Sequence, residues 1–353
     1  MLAALGLPAS WHAEPLTLGH IHDSYRVFDP DAARPRQLLL QHINTAIFPQ
    51  PERLMQNLQR VAPFTAVGDH GRRMCYLTRG ELLSCPDDAL CWQAADGGWW
   101  RACEFLADTY SRLTPDGPAH AEAAAAAFGA FQRNLLALDG PRLYEPLPGF
   151  HDTPRRFRDF EQSLADALPD RRAAAAAEIS DALRRTALAE RLAAAADIPE
   201  RIAHNDAKLS NLLLDVDSGA PVCVVDLDTV MPGLSLHDFG DLVRSMACAA
   251  PEDEPDLSRV HADPQMFAAL VRGYRSQADA FLTSGEIERL YDAGCVITFE
   301  QGLRFLGDFL TGDRYYRTTR PAHNLERARV QFTLLASLEA QERELRRIAT
   351  RNP

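Results

Sequence analysis

The sequence predicts an α+β fold with two lobes, a small β-rich N-lobe and a larger helical C-lobe. The chain has 353 residues, which is more than one ordinary hydrophobic core accommodates. Short apolar runs separated by turn residues dominate residues 1–107, whereas alanine-rich segments with helical spacing dominate residues 108–353. We therefore predict an N-lobe over 1–107, a C-lobe over 108–353 and a hinge near 103–107.

The N-lobe elements follow from short apolar runs and their turns. Alternating apolar residues predict two strands between Leu16 and Phe28, joined by a turn at Gly19–Ser24. Further strands are predicted at 38–43, 74–77 and 99–105. A helix is predicted after Pro51, because apolar residues then recur at helical spacing.

The C-lobe is predicted to be helical around one hairpin. Helices are expected at 119–138, 155–168, 172–196, 265–282, 285–310 and 323–350. Two short apolar runs, 212–214 and 222–225, predict strands, and the polar residues between them predict a hairpin turn.

Composition restricts the class of protein and its partners. Hydrophobic residues make up 46% and charged residues 24% of the chain, as in soluble globular proteins. The net charge of −12 argues against nucleic acid or an anionic membrane as a partner. No apolar run reaches the length of a membrane span, and the first residues do not resemble a signal peptide. Seven cysteines without a CxxC pair indicate reduced thiols in a cytoplasmic protein. We also expect a monomer.

The stretch 201–228 carries the strongest functional signal. It contains His204, Asp206 and Asn211 in the order H-x-D-x-x-x-x-N, followed by an apolar run that ends at Asp226. Protein kinases use this order: the first aspartate accepts the proton of the acceptor hydroxyl, and the asparagine and later aspartate hold Mg²⁺ on the nucleotide phosphates. The pattern predicts a kinase-like catalytic loop and hairpin, with Lys208 also at the phosphates.

Each of these residues alone has a simpler interpretation. His204 is expected to brace the loop, Asp206 alone is compatible with a turn, and Asn211 alone with a helix cap. The combination with Asp226 favours the kinase interpretation. Burying Asp226 after Val-Cys-Val-Val is costly without a compensating cation, and Mg²⁺ prefers such oxygen ligands.

The N-lobe supplies weaker candidates for nucleotide contacts. Gly19 lies in the hairpin expected to cover the phosphates, although a single glycine is equally typical of an ordinary hairpin. Gln41 lies nearest the strand position where protein kinases carry a lysine, so the phosphates are left to Mg²⁺, Lys208 and backbone groups. Hinge backbone at Glu104 and Leu106 is expected to meet the adenine edge of ATP.

Candidates for the acceptor site are polar residues near the catalytic loop. Asp241 and Arg244 are three residues apart and so share one face of a predicted helix. They are compatible with a surface ion pair or with contacts to sugar hydroxyls. His20 is compatible with a substrate or phosphate contact and equally with a solvated side chain.

Longer blocks resemble the N-acetylhexosamine 1-kinase family, within the aminoglycoside phosphotransferase and choline kinase-like superfamily. The blocks are HNDAKLSNLLLD with VVDLDTVMPGLSLHDFGDLVR, and also GHIHDSY, LLLQHINTAIFP, HDTPRRFRDF and RFLGDFLTGDRYY. The resemblance runs over nearly the whole chain. The DLDTVMPG and HDTP blocks are not general kinase features, and the family shares the glutamine in place of the strand lysine.

The resemblance implies a bilobal protein-kinase-like fold and transfer of the ATP γ-phosphoryl group to the anomeric hydroxyl of GlcNAc or GalNAc. Asp206 is implied as base, and Asn211 and Asp226 as Mg²⁺ ligands. The implied sugar-pocket residues are His20, Asp241, Arg244 and Arg304. Ser245 stands where the family carries an aromatic residue, which leaves the preferred sugar open.

Two alternatives remain at the level of sequence. One is a kinase of another small alcohol, such as an aminoglycoside or choline, on the same fold. The other is a nucleotide-binding pseudokinase, which the missing strand lysine favours and the joint presence of Asp206, Asn211 and Asp226 opposes.

Overall fold

A computed structural model describes residues 2–8, 10–16, 21–31, 36–195 and 197–351. The chain divides into two compact units. The first unit comprises Met1–Tyr110, Leu138–Pro148 and Leu213–Met231, and the second comprises Ser111–Ala137, Gly149–Leu212 and Pro232–Pro353. The first break lies three residues after the predicted boundary at 107. The two later segments of the first unit have no counterpart in the predicted division, which itself stays a prediction.

The first unit is built on an antiparallel sheet. Its strands are β1 (His12–Leu16), β2 (Asp23–Phe28), β3 (Gln37–Ile43), β4 (Tyr76–Leu77), β5 (Cys91–Gln93) and β6 (Trp99–Glu104). The order is β1-β2-β3-β6-β4, and β5 also pairs with β6. Ser24, Gln41 and Arg101 lie directly opposite one another on β2, β3 and β6. Cross-strand neighbours share one face, so the register predicts a polar line across the sheet.

Alternation along the strands separates this polar line from the apolar core. Leu38 and Leu40 of β3 are buried with Val27 of β2 and Ala102 of β6. Because side chains alternate between faces, these residues cover the face opposite to Gln41. The sheet therefore has one face that carries Ser24, Gln41 and Arg101 and an opposite face that is covered by the apolar core.

Two helices and a second small sheet complete the first unit. The helices are α1 (Pro51–Val61) and α2 (Arg79–Leu83). The second sheet has the order β10-β9-β7, with β7 at Thr109–Tyr110, β9 at Leu212–Asp215 and β10 at Pro221–Val224. The β9–β10 hairpin turns where Asp215 accepts hydrogen bonds from the backbone N–H groups of Asp217 and Ser218. This confirms the predicted hairpin and its polar turn.

The second unit is helical. Its helices are α3 (Pro118–Leu135), α4 (Thr153–Ala165), α5 (Pro169–Ala174), α6 (Ala176–Arg184), α7 (Ser235–Met246), α8 (Pro264–Ala278), α9 (Ser284–Glu288), α10 (Leu290–Thr311), α11 (His323–Ala340) and α12 (Glu342–Thr350). Short strands lie at β8 (Arg201–Ala203) and β11 (Met231–Gly233).

Helix α10 is the centre of the second unit. It packs against α4, α7 and α11, and nearly all of its residues are buried. Gly240 allows the close approach of α7, since a Cβ atom there would lie 2.6 Å from the carbonyl oxygen of Ala293. Gly273 of α8 does the same for α3, where a Cβ would lie 2.0 Å from the carbonyl oxygen of Glu122. Both contacts require glycine because the Cβ atom of any other residue would overlap the carbonyl oxygen of the neighbouring helix.

One predicted helix is wrong. The segment 172–196 was expected to be continuous, but it contains the end of α5, then α6, and then a short 3₁₀ turn at Thr186–Leu188. Ala175 separates α5 from α6 with φ −105° and ψ 16°. Alanine favours a helix by propensity only, and a helix needs a packed apolar face to persist. Ala196 lies outside the described residues.

The predicted segments 285–310 and 323–350 are likewise each divided, into α9 and α10 and into α11 and α12. Within the described ranges, no helix is both long enough and apolar enough to cross a membrane.

Candidate active site

The loop that the sequence predicts to be catalytic, 203–211, lies in the second unit and runs from the end of β8 through a 3₁₀ turn at Leu209–Asn211. Asp206 is half-buried, and its Oδ2 atom accepts hydrogen bonds from Lys208 Nζ at 2.8 Å and Asn211 Nδ2 at 2.9 Å. Asn211 Nδ2 also donates to the backbone carbonyl of Asp206 at 2.8 Å. The structure thus brings together three of the residues that the sequence selected.

The backbone before Asp206 is clamped from two sides. Asn205 adopts φ 61°, a left-handed conformation that is uncommon for a residue other than glycine. Asp238 of α7 accepts hydrogen bonds from the backbone N–H groups of His204 at 2.9 Å and Asn205 at 2.7 Å. The carbonyl oxygen of Asn205 lies 2.9 Å from Nε2 of His151. These contacts hold a strained peptide in the position that presents Asp206.

The charge of Asp206 is stabilised by its neighbours. Burial alone would raise the pKa of this carboxyl, but Lys208, His204 and Arg244 lower it well below the ordinary value of 3.8. Asp206 is therefore ionised at neutral pH and able to accept a proton.

His204 lies in an apolar part of the second unit. Its ring makes edge contacts with Phe128 and Phe131, with centroid distances of 5.6 Å and 5.9 Å, and it is fully buried. This location is consistent with the bracing function that the sequence suggested.

Asp241 and Arg244 form a buried ion pair rather than one on the surface. Arg244 Nε donates to Asp241 Oδ1 at 2.8 Å, and its Nη1 donates to Glu252 at 2.7 Å. Both side chains of the first pair are 5% exposed. The predicted sharing of one helix face is confirmed, and their predicted contact with the substrate stays a prediction.

Arg304 is held by aromatic rings. Its guanidinium lies 4.7 Å from the ring centroid of Phe150 and 5.7 Å from that of Tyr316, and it donates to Gln301 at 3.1 Å. Within the described chain, no carboxylate forms an ion pair with Arg304. Cation–π contacts leave several of its N–H donors unused.

The first unit contains a buried charged cluster around Asp228. Arg101 of β6 binds both carboxylate oxygens of Asp228, with its Nη2 at 2.7 Å from Oδ2. His22 Nε2 lies 3.0 Å from the same oxygen, and His22 Nδ1 accepts from the backbone N–H of Asn44 at 3.1 Å. Because Nδ1 is an acceptor, Nε2 carries the proton and donates to Asp228. Asp228 thus accepts three hydrogen bonds in a buried environment.

One expectation about Asp226 is wrong. The sequence suggested a buried Asp226 that needs a cation, but Asp226 is exposed and Asp228 is the buried carboxylate. Asp226 adopts φ 60° at the end of the β9–β10 hairpin. The chain turns sharply there, so the strand's alternation does not continue to Asp226, and the cation of Arg101 compensates Asp228.

Gln41 links two neighbouring strands. Its Nε2 donates to Ser24 Oγ at 3.0 Å, and its Oε1 accepts from Arg101 Nε at 2.9 Å. Together with the bonds to Asp228, this engages all three nitrogens of the Arg101 guanidinium. A cation therefore lies on β6, directly opposite Gln41 of β3. The predicted contact between Gln41 and nucleotide stays a prediction.

The predicted hinge lies at the end of β6. The backbone N–H of Glu104 donates to Cys75 at 2.9 Å, and the carbonyl of Leu106 accepts from Thr109 Oγ1 at 2.6 Å. No described residue accepts a hydrogen bond from the N–H of Leu106. Gly19 and His20 lie outside the described residues.

Asn211 of the second unit and Asp226 of the first each carry a side-chain oxygen of the kind that Mg²⁺ binds, and their predicted function as its ligands stays a prediction. The Asn211 amide nitrogen is used by two bonds to Asp206, which leaves its oxygen for a cation, and Asp226 offers an exposed carboxylate. Mg²⁺ prefers such oxygen ligands and takes its remaining positions from phosphates and water. Accordingly, a cluster of three or more metal-binding His, Cys, Asp or Glu side chains is not needed, and the described residues contain none.

Sequence reasoning missed the residues that support the loop and the sheet. They are His22, Arg101, His151, Asp228, Asp238 and Glu300. Arg101 stands inside the otherwise mostly uncharged strand WWRAC, and an arginine in such a run is a signal for a buried partner. His151 belongs to the HDTP block, which carried the family resemblance without a function.

A clamped loop with an ionised aspartate, a lysine and an asparagine is typical of phosphoryl-transfer enzymes. Residues 72–272, more than half of the chain, match the family model APH, the phosphotransferase enzyme family. The chain belongs to this family.

Similar solved structures agree in fold. A microcompartment-associated aminopropanol kinase is 16% identical with a TM-score of 0.55, over 98% of this chain and 97% of that one. Choline kinase from Cryptosporidium parvum Iowa II is 12% identical with a TM-score of 0.56, over 94% and 90%. Spectinomycin phosphotransferase, in a complex with ADP and spectinomycin, is 9% identical with a TM-score of 0.57, over 95% and 93%. These likenesses confirm the predicted kinase-like α+β fold, with a small antiparallel sheet first and a helical part after it.

Proposed function

We propose that this protein transfers the γ-phosphoryl group of ATP to the anomeric hydroxyl of an N-acetylhexosamine, GlcNAc or GalNAc. The observation that carries the proposal is the contact of Asp206 with both Lys208 and Asn211 on the clamped loop. The motif resemblance of the blocks around this loop supports the acceptor.

Asp206 is proposed as the base. Its ionised carboxylate accepts the proton of the attacking hydroxyl, and its two fixed contacts orient the free lone pairs. An anomeric hydroxyl is more acidic than an ordinary alcohol, so a single carboxylate is sufficient. Phosphoryl transfer depends mainly on alignment and charge stabilisation, and the clamp on Asn205 serves alignment.

The nucleotide contacts are proposed from the remaining predicted residues. Asn211 and Asp226 would hold Mg²⁺, which neutralises charge on the phosphates when bound. Lys208 adds a second positive charge, and the backbone at Glu104 and Leu106 is proposed to bind the adenine. Gly19 and Gln41 complete the proposed set of ATP contacts.

The acceptor contacts are proposed for His20, Asp241, Arg244 and Arg304. Arg304 supports a neutral acceptor, because its guanidinium has donors available and is not neutralised by an ion pair. The carboxylate of Asp206 is one of the groups that raise the pKa of Arg304 against the effect of burial, after the phenols of Tyr316 and Tyr315 and the carboxylate of Glu300. A cationic acceptor near Asp206 would therefore meet a fixed positive charge.

A second candidate is a kinase of a small amino alcohol or an aminoglycoside. The fold likeness to an aminopropanol kinase, a choline kinase and a spectinomycin phosphotransferase favours it. A pseudokinase is the third candidate, and the intact contacts of Asp206 speak against it.

We also propose a cytoplasmic monomer without nucleic-acid or membrane partners. Size-exclusion chromatography with light scattering tests the monomer.

The test is ATP consumption with Mg²⁺ over a panel of acceptors: GlcNAc, GalNAc, galactose, glucose, choline, aminopropanol, spectinomycin and kanamycin. NMR of the product locates the phosphate. Turnover of a hexosamine with phosphate on C1 is the expected result. Turnover confined to the cationic acceptors would replace the sugar proposal by the second candidate, and binding of ATP without any turnover would favour the pseudokinase.

A further inference from the structure

A buried pair, His151 and Glu300, lies beside the catalytic loop. His151 lies two residues before the start of α4, and Glu300 lies on α10. The Nδ1 atom of His151 is 2.7 Å from Glu300 Oε1, and Nε2 is 2.9 Å from the carbonyl oxygen of Asn205. The two side chains are 4% and 1% exposed. Nothing in the proposed phosphoryl transfer uses this pair directly.

The hydrogen-bond partners define the protonation state of His151. A carbonyl oxygen only accepts, so Nε2 must carry a proton. An ionised carboxylate also only accepts, so Nδ1 carries a second one. Glu300 Oε2 accepts from Thr153 Oγ1 at 2.7 Å, which is the contact expected of a carboxylate. His151 is then an imidazolium with both N–H groups engaged.

The electrostatics support the same assignment. Burial opposes charge on both groups. Nevertheless, Glu300 raises the pKa of His151, and His151 lowers the pKa of Glu300 to about 2. The ring centroid of His237 lies 4.7 Å from that of His151, with the rings tilted by 45°, and burial together with the charge of His151 lowers the pKa of His237 to about 3. His237 is therefore neutral, and only one of the two neighbouring rings is charged.

Other charged groups surround the pair. They are Asp241 on α7, Arg304 on α10 and Arg156 on α4. Asp241 favours the charge on His151. Arg304 favours the charge on Glu300. Each member of the pair thus has a second group of opposite charge nearby.

The imidazolium acts on the residue next to Asp206. Asn205 has φ 61°, its N–H is bound by Asp238, and its carbonyl is bound by His151. A peptide held at both its donor and its acceptor cannot rotate to a relaxed conformation without breaking a buried hydrogen bond. Breaking such a bond leaves a buried polar group without its partner, which is unfavourable.

We propose that His151 is a positioning residue, whose doubly protonated ring joins Glu300 to the Asn205 carbonyl and so fixes the backbone that presents Asp206. The effect on turnover rests on the proposed phosphoryl transfer. The protonation state and the effect on the loop rest on the contacts alone.

Two variants separate the hydrogen bond from the charge. Glu300→Gln is isosteric: its amide oxygen accepts from Thr153, and its amide nitrogen donates to Nδ1 of a neutral His151. His151→Leu/Glu300→Met removes both charges and the donor to Asn205, without leaving a buried charge unpaired. His261→Gln, at an exposed histidine of the second unit, is the matched control.

The first measurement is ¹⁵N NMR of the full chain labelled at histidine nitrogen, from pH 5 upwards. The signal that disappears in the double variant belongs to His151. In the unmodified protein, both of its ring nitrogens are expected to be protonated at pH 7, above the ordinary histidine pKa of 6.5. In Glu300→Gln, Nδ1 is expected to be unprotonated at pH 7. A bare ring nitrogen in the unmodified protein at pH 7 would overturn the imidazolium assignment.

The second measurement is hydrogen exchange of the loop 203–208, together with steady-state kinetics. Glu300→Gln and the control are expected to keep the protection of the loop. The double variant is expected to lose it, with kcat lower by about 10²-fold and little change in KM for ATP. Unchanged exchange in the folded double variant would overturn the positioning function. If the unmodified protein transfers no phosphate to any acceptor while exchange responds as expected, the proposed function fails and the positioning of the loop stands.

Discussion

One buried carboxylate–cation pair in each unit lies near a residue with a left-handed backbone, and these two pairs differ in the cation. In the first unit Asp228 binds Arg101. Asp226, two residues before Asp228, has φ 60°. In the second unit Glu300 binds His151, which in turn contacts Asn205 at φ 61°. Each pair is therefore close to a non-glycine residue in a left-handed conformation. In the first unit this residue is the predicted metal ligand Asp226 itself, and in the second it is Asn205, which precedes the predicted base Asp206.

The difference between the cations has a physical consequence. Arginine stays charged at every accessible pH, and its guanidinium binds a carboxylate at two points. Histidine changes charge near neutral pH and is able to reach a carboxylate and a backbone carbonyl at the same time. The charge on the cation of the first pair thus does not depend on pH, whereas the charge on the cation of the second pair does.

The largest expected effect tests whether Asp206 of the second unit is the base in phosphoryl transfer. Asp206→Asn removes the proposed base while keeping its size, so kcat is expected to fall by about 10²–10⁴-fold. The circular dichroism spectrum should stay the same. Asp217→Asn, in the exposed hairpin turn, is the control with unchanged kcat. Equal turnover of the two variants would remove Asp206 from the mechanism.

The next effect concerns the arginine pair. Arg101→Met leaves Asp228 buried without its cation, so the free energy of unfolding is expected to fall by about 3–5 kcal/mol. Urea unfolding measures it. Arg272→Met is the matched control, because the Arg272–Glu122 pair is about half exposed and contributes at most about 1 kcal/mol. A similar decrease in the free energy of unfolding for both variants would show that burial does not make the Arg101–Asp228 pair more important for stability than the Arg272–Glu122 pair.

A smaller effect tests Asp226 as a metal ligand. Asp226→Asn keeps one oxygen donor but loses the charge, so the Mg²⁺ concentration for half-maximal activity is expected to rise by about tenfold or more. Binding of Mn²⁺ in the presence of ADP, followed by electron paramagnetic resonance, should weaken in parallel. A metal requirement identical to that of the unmodified protein would exclude Asp226 as a ligand.

The smallest effect tests the titration of the histidine pair. The pKa of His151 is raised above 6.5, so its stabilisation is present below pH 6.5 and is lost as the pH rises through the raised pKa. The pKa of Glu300 is lowered from 4.5 to about 2, so its stabilisation is present above pH 4.5 and is lost as the pH falls towards 2.

The difference in unfolding free energy between the unmodified protein and His151→Leu/Glu300→Met should therefore be greatest between pH 4.5 and 6.5. Outside this window it should fall by at most about 1.4 kcal/mol per pH unit for each group. Urea unfolding from pH 4 to 9 measures it. A difference that does not vary with pH would mean that the pair does not change its charge on unfolding.

Local patterns predicted much of the fold and part of the site. The spacing of Asp206, Lys208 and Asn211 placed them on one short loop, and turn chemistry placed the β9–β10 hairpin. Such features depend on residues close in sequence. The prediction of one continuous helix at 172–196 was wrong because the helix propensity of alanine does not depend on tertiary packing. It does not indicate which helix face packs against another element.

Long-range pairs were beyond this reasoning. Arg101 and Asp228 are 127 residues apart, and His151 and Glu300 are 149 apart. A single sequence shows that a charged residue stands in an apolar run but does not name its partner. The exposure of Asp226 also follows from a backbone turn, which the alternation of a strand does not reveal.

The discontinuity of the first unit has a consequence for folding during synthesis. Its last segment, Leu213–Met231, leaves the ribosome about a hundred residues after Tyr110. At about 5–20 residues per second, the first unit waits roughly 5–20 s for β9, β10 and the carboxylate of Asp228. During this interval the guanidinium of Arg101 has no Asp228 to bind. Nascent chains stalled just before and just after residue 231 should therefore differ in their resistance to proteolysis.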